Sequence, residues 1–247
     1  MKPSLRTPIP RLTAQLLVKG LFFALPPGLV AQTPSVPAPA SHPDWFREAT
    51  RLRHAATAGD ARVVFLGDSL TAFWPKHGIG TWQLDIVPLQ PLNAGIPGDR
   101  VENVHFRAGQ MNIGENPPDL VVIWCGTNNL GKDPPDDPIA VADGVISLTR
   151  TLRRKWPAAR LLVLSIIPSG PDPDSALRRS IRVANERLQK AASAPDADFR
   201  WLDLHDHFIQ PDGRWLPGLT LDGTHLTARG YDVLAKPLVE QITRLLR

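Results

Sequence analysis

Short apolar runs alternate along the chain with longer amphipathic stretches. The first run, at 63–66, is continuous, β-branched at its start and too short for a helix, so it predicts a buried strand. By the same reasoning, further strands are predicted at 91–94, 119–124, 160–167 and 199–204. The segments between them carry the helical period. The chain therefore reads as strands and helices in alternation.

The predicted helices cover 45–58, 101–110, 139–155, 174–194 and 227 to the C-terminus. Asp44 is placed to cap the first of them. Strands that alternate with helices of about ten to twenty residues imply a parallel sheet covered on both faces. Right-handed crossovers then give an α/β fold, a three-layer α/β/α sandwich around a flavodoxin-like, doubly wound sheet of five parallel strands.

Residues 1–31 have the features of a signal peptide. They carry four basic residues and no acid, followed by apolar segments and small residues near the end. Lys19 interrupts the apolar region and two prolines at 26–27 break it, so no stable membrane span is predicted. We expect export to the periplasm or the medium after removal of this leader, which N-terminal sequencing of the mature protein would test.

A Pro/Ala-rich linker at 32–43, expected to be extended and disordered, separates the leader from one folded domain at 44–247. The formal charge of +4 belongs to the leader, since its four basic residues account for all of the excess. The folded domain is therefore close to neutral, and no nucleic-acid partner is predicted. The single cysteine, Cys125, excludes an internal disulfide.

Candidate catalytic residues stand where strands end. Ser69 follows the first strand, and chemistry in open α/β sheets collects beyond the carboxyl ends of the strands. A serine hydroxyl needs a base to become nucleophilic, and His225 is a candidate for that base. Asp222, three residues earlier, can hydrogen-bond to the other ring nitrogen of His225 and fix its tautomer. The alternatives are that Ser69 only caps a helix and that Asp222 and His225 form a solvated helix start.

An ester hydrolase must also stabilise an oxyanion. Three hydrogen-bond donors are available at strand ends: the backbone N–H groups of Ser69 and Gly95, and the side-chain amide of Asn128. The alternative for Asn128 is a hydrogen bond to its own loop backbone, as asparagine often makes in turns.

Four blocks carry a family resemblance: Gly-Asp-Ser-Leu at 67–70, Asn-Ala-Gly at 93–95, Gly-Thr-Asn at 126–128 and Asp-Gly-Thr-His at 222–225. In this order they resemble the SGNH (GDSL-type) hydrolases, over about residues 42–247. Within that family the sequence of these blocks is similar to that of the catalytic subunits of platelet-activating-factor acetylhydrolases. The sequence differs at Pro97, where those subunits carry a glycine, and at the Arg-Val pair at 100–101, where they carry threonines.

The resemblance implies that Ser69 is the nucleophile, His225 the base and then the acid, and Asp222 its orienter. It implies an oxyanion hole from Ser69, Gly95 and Asn128, with no metal or organic cofactor. Asp68 and Asn93 are expected to support the site structurally.

The residues beside the catalytic groups, Leu70, Thr127 and Thr224, are the predicted acyl pocket. Their modest size and the resemblance predict short acyl chains, acetyl above all, on a small-molecule, lipid or carbohydrate ester. The alternative is a lysophospholipase or thioesterase acting on longer chains. The protein is expected to be a monomer or a homodimer.

Other patterns in the sequence point to alternative functions. Residues 205–207, His-Asp-His, resemble a metal clip, and Cys125 is a second possible nucleophile. A metallophosphoesterase would need a set of Asp, His and Asn ligands for two metal ions. A non-catalytic secreted binding module is the remaining alternative.

Overall fold

The computed structural model describes residues 33–113 and 116–247. Its sheet has five parallel strands in the order β2-β1-β3-β4-β5. The strands are β1 (Val63–Gly67), β2 (Pro91–Gly95), β3 (Leu120–Trp124), β4 (Arg160–Leu164) and β5 (Arg200–Leu202). The predicted doubly wound α/β sheet is confirmed. No helix within the described ranges is long and apolar enough to cross a membrane.

Helices cover both faces of the sheet. They are α1 (Pro43–Ala58), α2 (Ser69–Ala72), α3 (Trp74–His77), α4 (Ile79–Thr81), α5 (Val101–Gln110), α6 (Thr127–Gly131), α7 (Pro138–Lys155), α8 (Ala176–Ala192) and α9 (Ala228–Leu246). Alternate strand residues feed two cores. Val64 and Leu66 pack in the core that holds α5, α7 and α8, whereas Val63 and Phe65 pack in the core that holds α9. This alternation is the period of a strand buried on both faces.

Two helices show which residues cap helix N-termini in this chain. The first helix begins at Pro43, with His42 rather than Asp44 as its cap, because His42 Nδ1 accepts from the N–H of Trp45 at 3.0 Å. Proline at the first helical position has no N–H to satisfy, which favours this earlier start. The final helix begins at Ala228, one residue after the predicted start, and Thr227 caps it with its hydroxyl accepting from Gly230 N–H.

The segment at 33–42, which we call the N-terminal strap, is ordered rather than disordered. Ala38 donates its N–H to Glu102 O at 3.1 Å and accepts at its own carbonyl from Asn103 Nδ2 at 3.0 Å. Pro34 is buried against Gly144, where an added β-carbon would lie 2.5 Å from the Pro34 carbonyl oxygen. These hydrogen bonds and close contacts hold in place a segment whose composition is typical of a disordered linker. The predicted signal peptide lies outside the described residues and stays a prediction.

The sheet topology places the site. The chain winds from β1 outward to β2, then returns to β3 on the other side of β1, so the order reverses between β1 and β3. Loops leaving neighbouring strands in opposite directions open a crevice at such a point. The carboxyl ends of β1, β2 and β3 carry Ser69, Gly95 and Asn128 to this crevice.

Candidate active site

Ser69 is the first residue of α2, not its cap. Asp68 is the N-cap, and its Oδ1 accepts from Leu70 N–H at 3.0 Å. The Ser69 hydroxyl is therefore free of capping, and its Oγ lies 2.9 Å from His225 Nε2. The four residues of α2 are too few for a strong helix dipole, so the expected attraction of negative charge rests on individual N–H groups.

Asp222 and His225 meet within one turn. Asp222 Oδ2 lies 2.7 Å from His225 Nδ1, and its Oδ1 accepts from the backbone N–H groups of Thr224 and His225 at 2.9 and 2.8 Å. Burial acts to raise the pKa of Asp222, but these hydrogen bonds outweigh it and hold the pKa below its ordinary value. An ionised carboxylate only accepts, so Nδ1 carries the proton and Nε2 is left to accept from Ser69.

Two of the three expected oxyanion donors have a hydrogen that no bond within the described residues engages. Asn128 Nδ2 spends one hydrogen on Asp99 O at 2.8 Å, which leaves its second hydrogen for a ligand. No partner for the Ser69 N–H is found within the described residues. The Gly95 N–H, by contrast, donates to Asn93 Oδ1 at 3.0 Å and would have to be shared to serve an oxyanion.

Gly95 has a second reason to lack a side chain. A β-carbon there would lie 2.4 Å from Ala72 N and 2.8 Å from Asp68 O, so glycine lets α2 pack directly on the end of β2. Asn93 adds a tie between the same elements, because its Nδ2 donates to Thr71 O at 2.7 Å. Both residues thus hold the helix that carries Ser69, and Asn93 lies beneath the site rather than in it.

Asp68, the residue before Ser69, is buried. Its side chain is almost fully enclosed, and no partner for Oδ2 is found among the described residues. Burial, reinforced by the nearby Asp99 carboxylate and opposed by the Leu70 N–H, raises the pKa of Asp68 to about 7. The folded protein therefore keeps a proton on this carboxyl at pH values where the unfolded chain has lost it.

This pKa predicts a pH-dependent cost in stability. Because the folded pKa of Asp68 exceeds its unfolded value near 4, its contribution is present at low pH and is lost as pH rises to about 7. Between pH 5 and pH 8, we expect the free energy of unfolding of the wild type to fall by on the order of 2–3 kcal/mol relative to Asp68→Asn. Urea unfolding of both proteins at the two pH values measures this difference. Equal changes in the two proteins would contradict a buried, protonated Asp68.

A cleft of about 630 Å³ opens beside these groups. Its walls include Asn128, Asp222 and His225, together with Gly98, Arg100, Thr127, Gly131, Lys132, Ser169, Gly170, Leu177 and Thr224. Two of the three predicted acyl-pocket residues, Thr127 and Thr224, line it. Leu70 does not: its side chain is 2 % exposed and packs in the core beneath α9. As an apolar residue in the first turn of α2, it turns toward the sheet, while the Ser69 hydroxyl points at His225, which lines the cleft.

Sequence reasoning missed the buried residues that hold the site together. Tyr231 donates its hydroxyl to Leu70 O at 2.7 Å, so the first turn of α9 is tied to the helix that carries Ser69. Asn129 lies buried beside Asn128, where its Oδ1 accepts from Val101 N–H at 2.8 Å and its Nδ2 donates to Glu102 Oε2 at 2.9 Å. The sequence does show a second asparagine after Asn128, but it does not indicate which of the two faces the cleft and which is buried.

The other candidate groups lie apart from this arrangement. Cys125 is buried, and burial together with the Asp68 and Asp99 carboxylates raises the pKa of its thiol well above the ordinary value. A thiol that stays protonated is a poor nucleophile. His205 Nδ1 lies 2.9 Å from Asp206 Oδ1, and within the described ranges no three His, Cys, Asp or Glu side chains form a group that could hold a metal ion.

The four sequence blocks around these residues lie within the range that matches a known protein family. Residues 65–233 match the sequence model of the GDSL-like lipase/acylhydrolase family. The chain is 33% identical to human platelet-activating factor acetylhydrolase IB subunit alpha1 over 187 residues, 76% of this chain and 78% of that protein. It is 29% identical to the rat alpha2 subunit over 202 residues, 82% of this chain and 85% of that protein. A crystal structure of a GDSL-like lipase from Bacteroides thetaiotaomicron has the same fold, with a TM-score of 0.65 and 21% identity over 81% of this chain and 97% of that one.

Proposed function

Because the chain belongs to the GDSL-like lipase/acylhydrolase family and is a hydrolase acting on esters, we propose that Ser69, His225 and Asp222 are its catalytic triad. The observation that carries the proposal is the continuous chain of hydrogen bonds from Ser69 Oγ to His225 Nε2 and from His225 Nδ1 to Asp222. The first bond joins residues 156 positions apart and the second joins residues three apart, in the arrangement of a nucleophile, a base and its orienting carboxylate.

In the proposed reaction, Ser69 Oγ attacks the ester carbonyl carbon as its proton passes to His225 Nε2. The negative charge that develops on the carbonyl oxygen is met by the Ser69 N–H and the second amide hydrogen of Asn128. Collapse of this intermediate breaks the bond to the alcohol, which leaves with the proton from His225. A water molecule then attacks the acyl-enzyme by the same steps, releasing the carboxylic acid and restoring the serine.

The cleft supports a preference for short acyl groups, acetyl above all. Eight of its twelve lining residues have polar or charged side chains, three are glycines, and Leu177 is its one large apolar side chain. Each methylene gains about 0.8 kcal/mol when it is buried against apolar surface, a gain that this lining offers to few of them. The human and rat relatives are named as acetylhydrolases, which also supports the proposal.

Comparison of p-nitrophenyl acetate with p-nitrophenyl dodecanoate tests this preference. We expect kcat/KM to be higher for the acetate by about 10- to 100-fold, because a dodecanoyl chain covers polar side chains of the cleft without hydrogen-bonding to them, which costs about 1–3 kcal/mol. Both esters release the same alcohol, so the ratio reports the acyl group. A higher kcat/KM for the dodecanoate would contradict the short-chain proposal and favour the lysophospholipase or thioesterase alternative.

A further inference from the structure

The orientation of the Asn128 amide depends on the carbonyl of Asp99. Asn128 lies near the start of α6, a helix of five residues, and its Nδ2 donates to Asp99 O at 2.8 Å. That bond fixes the plane of the amide and so the direction of its second hydrogen. An oxyanion donor acts only when it already points at the developing charge.

Asp99 is itself held from two sides in the protein interior. Its Oδ2 accepts from Arg107 Nε and Nη2 at 2.8 and 2.5 Å, and its Oδ1 accepts from the indole N–H of Trp45 at 2.5 Å. The three side chains are almost fully buried. Arg107 also donates to Ala94 O and Gly67 O, at the ends of β2 and β1. Arg107 thereby ties the loop that contains Asp99 to the ends of β1 and β2.

Trp45 comes from a part of the chain that precedes the family match, which begins at residue 65. Trp45 and Leu52 of α1 pack with Ile96 of this loop, and the N-terminal strap hydrogen-bonds to the first turn of α5. One hydrogen bond, from Trp45 Nε1 to Asp99, connects α1 to the carboxylate behind the cleft.

We propose that Trp45 is a positioning residue of the active site, acting through Asp99 to aim the Asn128 amide at the oxyanion. The inference rests on the proposed function, since it assigns a support to one of its donors. Without the indole N–H, Asp99 Oδ1 is buried without a partner, and the carboxylate is held on the Arg107 side alone. The 96–100 loop then relaxes, and Asn128 loses its fixed direction. The effect falls on the transition state, because Asn128 meets charge that the substrate does not yet carry.

Trp45→Phe tests this, since phenylalanine keeps an aromatic ring beside Phe46 and Phe106 but removes the donor. We expect kcat for p-nitrophenyl acetate to fall about tenfold, with KM within about twofold of the wild-type value. This loss is smaller than the fall of about 10²–10³ in kcat on removal of an oxyanion donor, because the Asn128 amide is misdirected rather than removed. The rate of inactivation by diethyl p-nitrophenyl phosphate falls by the same factor. Trp201→Phe is the matched control, because the buried Trp201 Nε1 has no partner among the described residues. Its rates stay at the wild-type values.

A double-mutant cycle separates positioning from general structural support. Asn128→Ala is expected to lower kcat by about 10²–10³, and adding Trp45→Phe to it then changes kcat by less than about twofold. An unchanged kcat in Trp45→Phe, or a full tenfold loss that persists without Asn128, overturns the inference. A wild-type protein with no esterase activity would instead contradict the proposed function.

Should Trp45→Phe not fold, the indole N–H resonances of the wild-type protein report the same coupling. The organophosphate adduct places a phosphoryl oxygen where the oxyanion would lie. Its formation is expected to shift the Trp45 resonance and to leave that of Trp201 in place. No shift at Trp45 would overturn the inference.

Discussion

Ser69→Ala is expected to lower kcat for p-nitrophenyl acetate by about 10⁶ while the protein stays folded. The scale is that of subtilisin, whose turnover falls by about this factor when its serine or histidine is removed. The fold survives because Asp68, not Ser69, caps α2, and the hydrogen bond of Ser69 Oγ goes to His225. Nothing in the core loses a packing partner when one oxygen atom at the cleft is removed.

Steady-state kinetics measured together with thermal unfolding separate the two effects. Ser193→Ala is the matched control, because Ser193 is exposed at the end of α8. Its kcat is expected to stay at the wild-type value. A Ser69→Ala protein with a normal melting temperature and more than about a tenth of wild-type kcat would mean that another group attacks the ester.

Asp222→Asn is expected to lower kcat by about 10⁴, with little change in stability. Asparagine retains an oxygen for the N–H groups of Thr224 and His225, so the turn persists. Its amide nitrogen would then face His225 Nδ1 and donate to it. The ring proton moves to Nε2, which can no longer accept from Ser69.

A matched control exists elsewhere in the chain. His205 and Asp206 also form an imidazole–carboxylate contact, 2.9 Å long, on an exposed carboxylate. Asp206→Asn removes that contact and is expected to leave kcat unchanged. Turnover within about tenfold of wild type in Asp222→Asn would show that a different group sets the tautomer of His225.

The parts of the site that local sequence determines could be predicted. The three-residue spacing of Asp222 and His225 puts both on one turn, and a serine after an apolar strand faces the crevice of a doubly wound sheet. The parallel direction of the five strands followed from the alternation of strand and helix patterns. Such features depend on residues close together in the chain.

Other parts depend on contacts between distant residues, which one sequence does not reveal. Leu70 adjoins Ser69 yet packs in the core, because neighbouring helical positions point to different sides. The N–H of Gly95 is engaged by Asn93, and Trp45 reaches Asp99 across 54 positions. The N-terminal strap has the composition of a disordered linker, but α5 and α7 supply its partners.

Treatment with diethyl p-nitrophenyl phosphate, followed by mass spectrometry of the digested protein, tests the central claim most directly. An activated serine attacks the phosphorus atom, so the account predicts one diethylphosphoryl group on Ser69 in step with the loss of esterase activity. The peptide from Ser69→Ala stays unmodified. Full loss of activity with the label on another residue, or an active enzyme that is never labelled, would contradict the assignment of Ser69 as the nucleophile.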